Sequence, residues 1–144
     1  MRKLVSIAMT VLLFVGSTAF SWKDEVGFGK VMNAYRSGDY ATALREWKPL
    51  AKQGNARAQT NLGQMYRKGK GVPQNYETAV KWFKLAAEQG NADAQTSLGS
   101  MYANGQGDVQ NYKTAVKWWR LAAEQGFAVA EFNLGLMYSR GLGV

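Results

Sequence analysis

Between Asn55 and Gly90 the apolar residues fall on two helical stripes separated by a glycine-rich break. Ala58, Leu62, Met65 and Tyr66 stand at i, i+4, i+7 and i+8, one face of an α-helix. Tyr76, Ala79, Val80, Phe83, Ala86 and Ala87 stand at i, i+3, i+4, i+7, i+10 and i+11 and define a second helix by the same rule. Gly69 follows the first stripe and suits a left-handed cap. The Gly-x-Gly-Val-Pro run ends the helical pattern at Pro73. Asn75 can cap the second helix, and Gly90 closes it.

This pattern repeats. Asn55–Gly90 and Asn91–Gly126 align without a gap, and 25 of 36 positions are identical. Phe127–Val144 is the first half of the same unit once more. Upstream, Phe28–Gly54 is a shorter, degenerate copy, with Tyr40, Ala43, Trp47, Ala51 and Gly54 each 36 residues before its counterpart. One helix pair cannot bury its apolar face alone, whereas stacked pairs can. The expected fold is all-α, a solenoid of antiparallel helix pairs. Gly63, Gly99 and Gly135 recur in mid-helix, where Gly costs about 1 kcal/mol against Ala, so a neighbouring helix is expected to approach closely at each. Pro49 falls inside the second helix of the degenerate copy and should kink or end it.

The last unit stops early. Val144 occupies the position of Val72, two periods before, where the next second helix should begin. Phe127, Leu134, Met137 and Tyr138 are expected to lack a covering helix. A longer array, or self-association through this bare end, would supply one.

Composition narrows the chemistry. The chain has 144 residues, no Cys and no His. Disulfides, thiol nucleophiles, imidazole bases and the usual zinc ligands are thereby removed. Arg2 and Lys3 precede an apolar run of 12 residues, Leu4 to Val15, followed by small residues through Ser21. This is the pattern of a secretory signal peptide, with cleavage expected after Ser21 or after Ala19. The run is too short for a spanning helix, which needs about 20 residues, so no stable membrane insertion is expected after processing. The domain plan is a signal peptide over 1–21, an N-terminal segment over 22–54, repeats over 55–90 and 91–126, and a half-repeat over 127–144. The formal charge of +8 falls to about +6 without Arg2 and Lys3, which favours acidic partners or anionic surfaces.

The run from Asn75-Tyr76-x-Thr78-Ala79-Val80-Lys81-Trp82 through Leu85-Ala86-Ala87-Glu88-Gln89-Gly90-Asn91-Ala92 to Leu98-Gly99-x-Met101-Tyr102-x-x-Gly105-x-Gly107 resembles the Sel1-like repeat, a relative of the tetratricopeptide repeat with a longer loop. The resemblance implies a right-handed superhelix whose first helices line a concave face, adaptor work through a protein or peptide partner, and no cofactor. Some exported relatives carry one disulfide per repeat; this chain lacks every such Cys. A β-lactamase activity attributed to those relatives makes a cell-wall or β-lactam hydrolase the alternative. That chemistry uses S-x-x-K and K-T-G, and neither occurs here. Thr78 to Lys81 has the first spacing with Thr as hydroxyl, recurs at Thr114 to Lys117, and reads as a repeat position.

On the concave face implied by the family, the core positions leave Arg57, Thr60, Gln64, Arg67 and Lys68 outward in one unit. The next offers Asp93, Thr96, Ser100, Ala103 and Asn104, and the half-unit Val129, Phe132, Leu136, Ser139 and Arg140. Asn61, Ser97 and Asn133 sit at the groove edge. Variation here, over a nearly constant frame, fits a ligand surface and also unselected surface. Tyr66, Tyr76, Phe83, Tyr102, Tyr112 and Trp119 repeat in register with the core, so they read as packing; Trp82 and Trp118 lie one residue off and suit seams between repeats. Lys81, Lys84, Lys113, Lys117 and Arg120 form a basic stripe on the second helices, with Glu77–Lys81 and Arg120–Glu124 as expected i,i+4 pairs. Aromatic residues do not interleave with it, which disfavours nucleic acid. The Gly-x-Gly loops follow helices and lack GK[ST], so they are not phosphate loops. Neither a cofactor nor a metal is expected. The reading is an exported, non-enzymatic scaffold.

Overall fold

A computed structural model describes residues 22–144; the expected signal peptide lies outside the described residues. Seven α-helices follow one another, with no strand among the described residues: α1 (Trp22–Arg36), α2 (Tyr40–Lys52), α3 (Ala56–Lys68), α4 (Tyr76–Glu88), α5 (Ala92–Asn104), α6 (Tyr112–Ala123) and α7 (Ala128–Arg140). α1–α2, α3–α4 and α5–α6 are helical hairpins, and each also packs on the next.

Local chemistry sets the boundaries. The Oδ1 atoms of Asn55, Asn75, Asn91 and Asn111 each accept from the backbone N–H three residues on, at 2.9 Å. Asp39 does the same for α2 at 3.1 Å. Such a cap is worth about 1 kcal/mol. Phe127 precedes α7 and makes no side-chain cap. The first helices end on Gly69, Gly105 and Gly141, all left-handed at φ 64°, 64° and 63°, a conformation glycine adopts without strain. Pro49 does not end α2, which runs on to Lys52. Both Pro49 and Arg45, whose carbonyl loses its donor there, are exposed, so water can replace the missing bond.

The core is a set of rows at the 36-residue spacing. Ala43, Ala79 and Ala115 are buried, as are Trp47, Phe83 and Trp119. Ala58, Ala94 and Ala130 line the facing helices, with Met65, Met101 and Met137. Burying Phe83 alone contributes about 3 kcal/mol. A Cβ at Gly63 would lie 2.7 Å from the Phe83 ring, and one at Gly99 2.7 Å from Trp119 Nε1 and 3.1 Å from the Ala115 carbonyl oxygen. The expected close approach is present at both. It is absent at Gly135, where a Cβ would meet nothing within 4 Å. Met137, expected to be uncovered, is buried against α6, while Tyr138 is exposed. Trp82 packs against the cluster of α1–α3 and Trp118 against that of α4–α5, so both sit at seams between units.

Polar side chains fasten the seams. Gln59 Nε2 donates to the Ala51 carbonyl of the preceding hairpin at 3.1 Å, and Gln95 Nε2 to that of Ala87 at 3.2 Å. Gln89 Nε2 then donates to Gln59 Oε1, and Gln125 Nε2 to Gln95 Oε1 and the Gly90 carbonyl, at 2.8–3.0 Å. Gln59 and Gln95 are buried, and such groups are tolerated when hydrogen-bonded.

Candidate functional site

On α3 and α5 only a narrow line of side chains is left uncovered, and the same line continues along α7, which is exposed over most of its length. On α3 it runs through Arg57, Asn61, Gln64 and Lys68, on α5 through Asp93, Ser97, Ser100 and Asn104, and on α7 through Val129, Asn133, Leu136 and Arg140. In each case the spacing is i, i+4, i+7, i+11, one edge of a helix. The three edges match position for position at 36 residues.

Four of the residues expected on this face lie elsewhere. Thr60 and Thr96 are buried, at 6% and 7% exposure. Their hydroxyls donate to the carbonyls of Ala56 and Ala92, both at 2.8 Å, so no polar group is stranded by burial. Phe132 holds the same repeat position and is 66% exposed. That position is covered on α3 and α5, where a further hairpin packs over it. Ala103 is also buried.

Hydrogen bonds tie the line together. Gln64 Nε2 donates to Ser97 Oγ across the two helices at 3.0 Å. The Arg67 guanidinium donates twice to Gln64 Oε1, at 3.0 and 2.8 Å, so half-buried Arg67 orients Gln64. Arg57 stacks 4.1 Å from the Phe28 ring centroid, a cation–π contact. Ser100 Oγ donates to the Thr96 carbonyl at 3.1 Å, and Ser139 Oγ to that of Leu136 at 2.9 Å. Asn61 Nδ2 is buried and has no hydrogen-bond partner. The line is thus basic at α3, neutral and polar across α5 apart from Asp93, and partly apolar at α7. It offers amides and hydroxyls for an extended chain and assembles no nucleophile–base pair.

Burial, followed by the Asp108 carboxylate, raises the Tyr102 phenol, and burial raises that of Tyr35. Asp39 lies below the usual carboxylate range because Thr42 hydrogen-bonds its ionised form. Thr78 is half-buried and Lys81 exposed. No group of three or more Asp or Glu side chains among the described residues could hold a metal ion.

The expected ion pairs Glu77–Lys81 and Arg120–Glu124 do not form. Arg45–Glu46, at 3.1 Å, is the one ion pair among the described residues, and Arg120 instead donates to the Tyr138 hydroxyl at 3.0 Å. Exposed i,i+4 pairs are worth only about 0.3–0.5 kcal/mol, little against side-chain freedom.

Stacked helix pairs with a repeated edge of polar side chains define an α-solenoid of the kind used for protein recognition. The Sel1 repeat pattern matches residues 56–91, 92–127 and 128–144, and the chain belongs to the Sel1 repeat family. It is similar to a Sel1 repeat protein from Oxalobacter formigenes, with 40% identity and a TM-score of 0.76 over 80% of this chain and 47% of that one. It is also similar to a protective antigen of uropathogenic Escherichia coli with an SLR fold, with 40% identity and a TM-score of 0.72 over 85% of this chain and 28% of that one. The chain therefore spans about half the length of the first and about a quarter of the second. No curated protein sequence matches it. Proteins of this repeat class are generally non-enzymatic and mediate protein–protein interaction.

Proposed function

We propose that this protein is an exported scaffold that holds a peptide or protein segment along the edge formed by α3, α5 and α7. One observation carries the reading. The polar edges of α3, α5 and α7 repeat position for position at 36 residues, and the Gln64–Ser97 bond joins two of them. An extended chain laid across the helices would meet the partly exposed side chains of Asn61 and Ser97, and then Ser100, Asn104 and Asn133 further along. Export is supported by Arg2, Lys3 and the short apolar run before Ser21. No helix among the described residues is long and apolar enough to cross a membrane.

The test is selection of binding peptides from a random library displayed against the protein, followed by Asn61→Ala with Ser97→Ala. The double variant should weaken selected peptides about tenfold, the loss of one or two net hydrogen bonds. Selected peptides that bind the double variant unchanged would move recognition off this edge. A second reading, self-association, is favoured by the exposure of Val129, Phe132 and Tyr138 on α7. Sedimentation should then show a concentration-dependent dimer that Phe132→Ser abolishes.

A further inference from the structure

The second helices present a face that the reading above leaves unused. On α2, α4 and α6, positions 45, 48 and 49 and their counterparts point away from the buried rows and are exposed. The first row is Arg45, Lys81 and Lys117. The second is Lys48, Lys84 and Arg120. No carboxylate stands on either row. Apart from Arg45, none of these six cations makes an ion pair. The third row is Pro49, Leu85 and Leu121, and the two leucines are 47% and 38% exposed. At α2 the same face is indented by an open depression of about 590 Å³, lined by Leu44, Arg45, Lys48, Pro49 and Lys52. Carboxylates lie at the margins, at Glu46 paired with Arg45, at Glu77 beside the first row and at Glu88 and Glu124 one turn beyond the leucines.

We infer that this face docks the protein on an anionic bilayer surface. Two cationic rows, five of whose six members make no ion pair, complement a sheet of phosphate headgroups, with a contribution from each Lys or Arg that reaches the surface. A neighbouring row of exposed leucines is what an interfacial helix inserts at the boundary between headgroups and acyl chains. A soluble polyanion would use the cations and leave the leucines idle, so their shared face favours the membrane. The contact is peripheral, since the leucines project by only one side chain from packed helices.

The test is co-sedimentation of the protein with vesicles of phosphatidylcholine alone and of an equimolar mixture with phosphatidylglycerol. Every variant keeps the same N-terminal segment, so differences between variants report this face alone. Binding should require phosphatidylglycerol and weaken with salt. Lys81→Gln, Lys84→Gln, Lys117→Gln and Arg120→Gln together should lower affinity about a hundredfold, while Lys81→Arg, Lys84→Arg and Lys117→Arg together keep it. Leu85→Ser with Leu121→Ser should lower it about tenfold. Lys68→Gln with Arg140→Gln, on the peptide-binding edge, should leave it unchanged. The inference is overturned if the quadruple variant binds as the parent does, or if the parent ignores the anionic vesicles. It is equally overturned if the leucine pair makes no difference, which would mark a site for a soluble polyanion. These outcomes are independent of whether peptides bind the first-helix edge.

Discussion

α5 and α7 are nearly the same helix in two settings. α5 lies between α4 and α6, whereas α7 packs chiefly on α6. Both form over 13 residues and both end on a left-handed glycine. Leu98 is fully buried, and its counterpart Leu134 only partly. Gly99 presses on Trp119, while Gly135 faces open space. Thr96 is enclosed, while Phe132 is bare. The helix is therefore a local property, set by capping and propensity, whereas burial at each position belongs to the neighbour. A residue can be placed on a helix face from its own unit and still be misassigned between inside and outside.

The largest test of this contrast exchanges residue types across it. Thr96→Phe should destabilise the protein by about 3 kcal/mol, because an enclosed site cannot take a ring without displacing its neighbours. Phe132→Thr should change stability by less than about 0.5 kcal/mol, as exposed substitutions do. Urea denaturation of both variants measures the pair. Equal effects would show that the two positions share one environment.

The glycines give a smaller effect of opposite sign. Gly99→Ala should cost on the order of 1–2 kcal/mol, since crowding by the Trp119 ring and the Ala115 carbonyl outweighs the gain in helix propensity. Gly135→Ala should add up to about 1 kcal/mol, because only the propensity gain operates. Thermal melts that move in the same direction for both would contradict the packing described. Next comes the cap: Asn91→Ala should cost about 1 kcal/mol. Amide exchange should already be faster in the first turn of α7 than in that of α5, since Phe127 offers no side-chain acceptor.

The smallest effect lies at the other end of the stack and depends on pH. Asp39 caps α2 as a carboxylate where the complete repeats use Asn amides. Its folded pKa is lowered, so its contribution is present above the unfolded value, near 4, and is lost as pH falls through the folded value. Acid should therefore loosen α2 below about pH 4, and Asp39→Asn should remove that dependence without removing the cap. Amide exchange across α2 at graded pH distinguishes the two chains.

Much of the architecture was legible in the residues. The 36-residue period, the close approaches at Gly63 and Gly99, the Asn75 cap and the seam positions of Trp82 and Trp118 are all written in spacing. Thr60 and Thr96 were misplaced because a hydroxyl that bonds back to its own helix can be buried at little cost, and composition cannot reveal that. Phe132 at the same position was the available signal, since a large apolar residue there marks a site that tolerates burial. Gln59 and Gln95 were missed because their amides bond to carbonyls of the preceding hairpin, partners that helical spacing does not reveal. The ion pairs failed because spacing permits a contact without compelling two solvated side chains to make it.

The glutamine relay at the seams bears on how such a chain can change in length. Each complete block carries a donor at its start, Gln59 or Gln95, whose acceptor carbonyl lies near the end of the block before it, Ala51 or Ala87, while Glu131 holds that position in the last unit. A duplicated or excised 36-residue block thus arrives or departs with both halves of its fastening, and the cut ends heal into the same joint. Unequal recombination could lengthen or shorten the array without inventing a new interface, and the reach of the molecule would be tuned in whole steps.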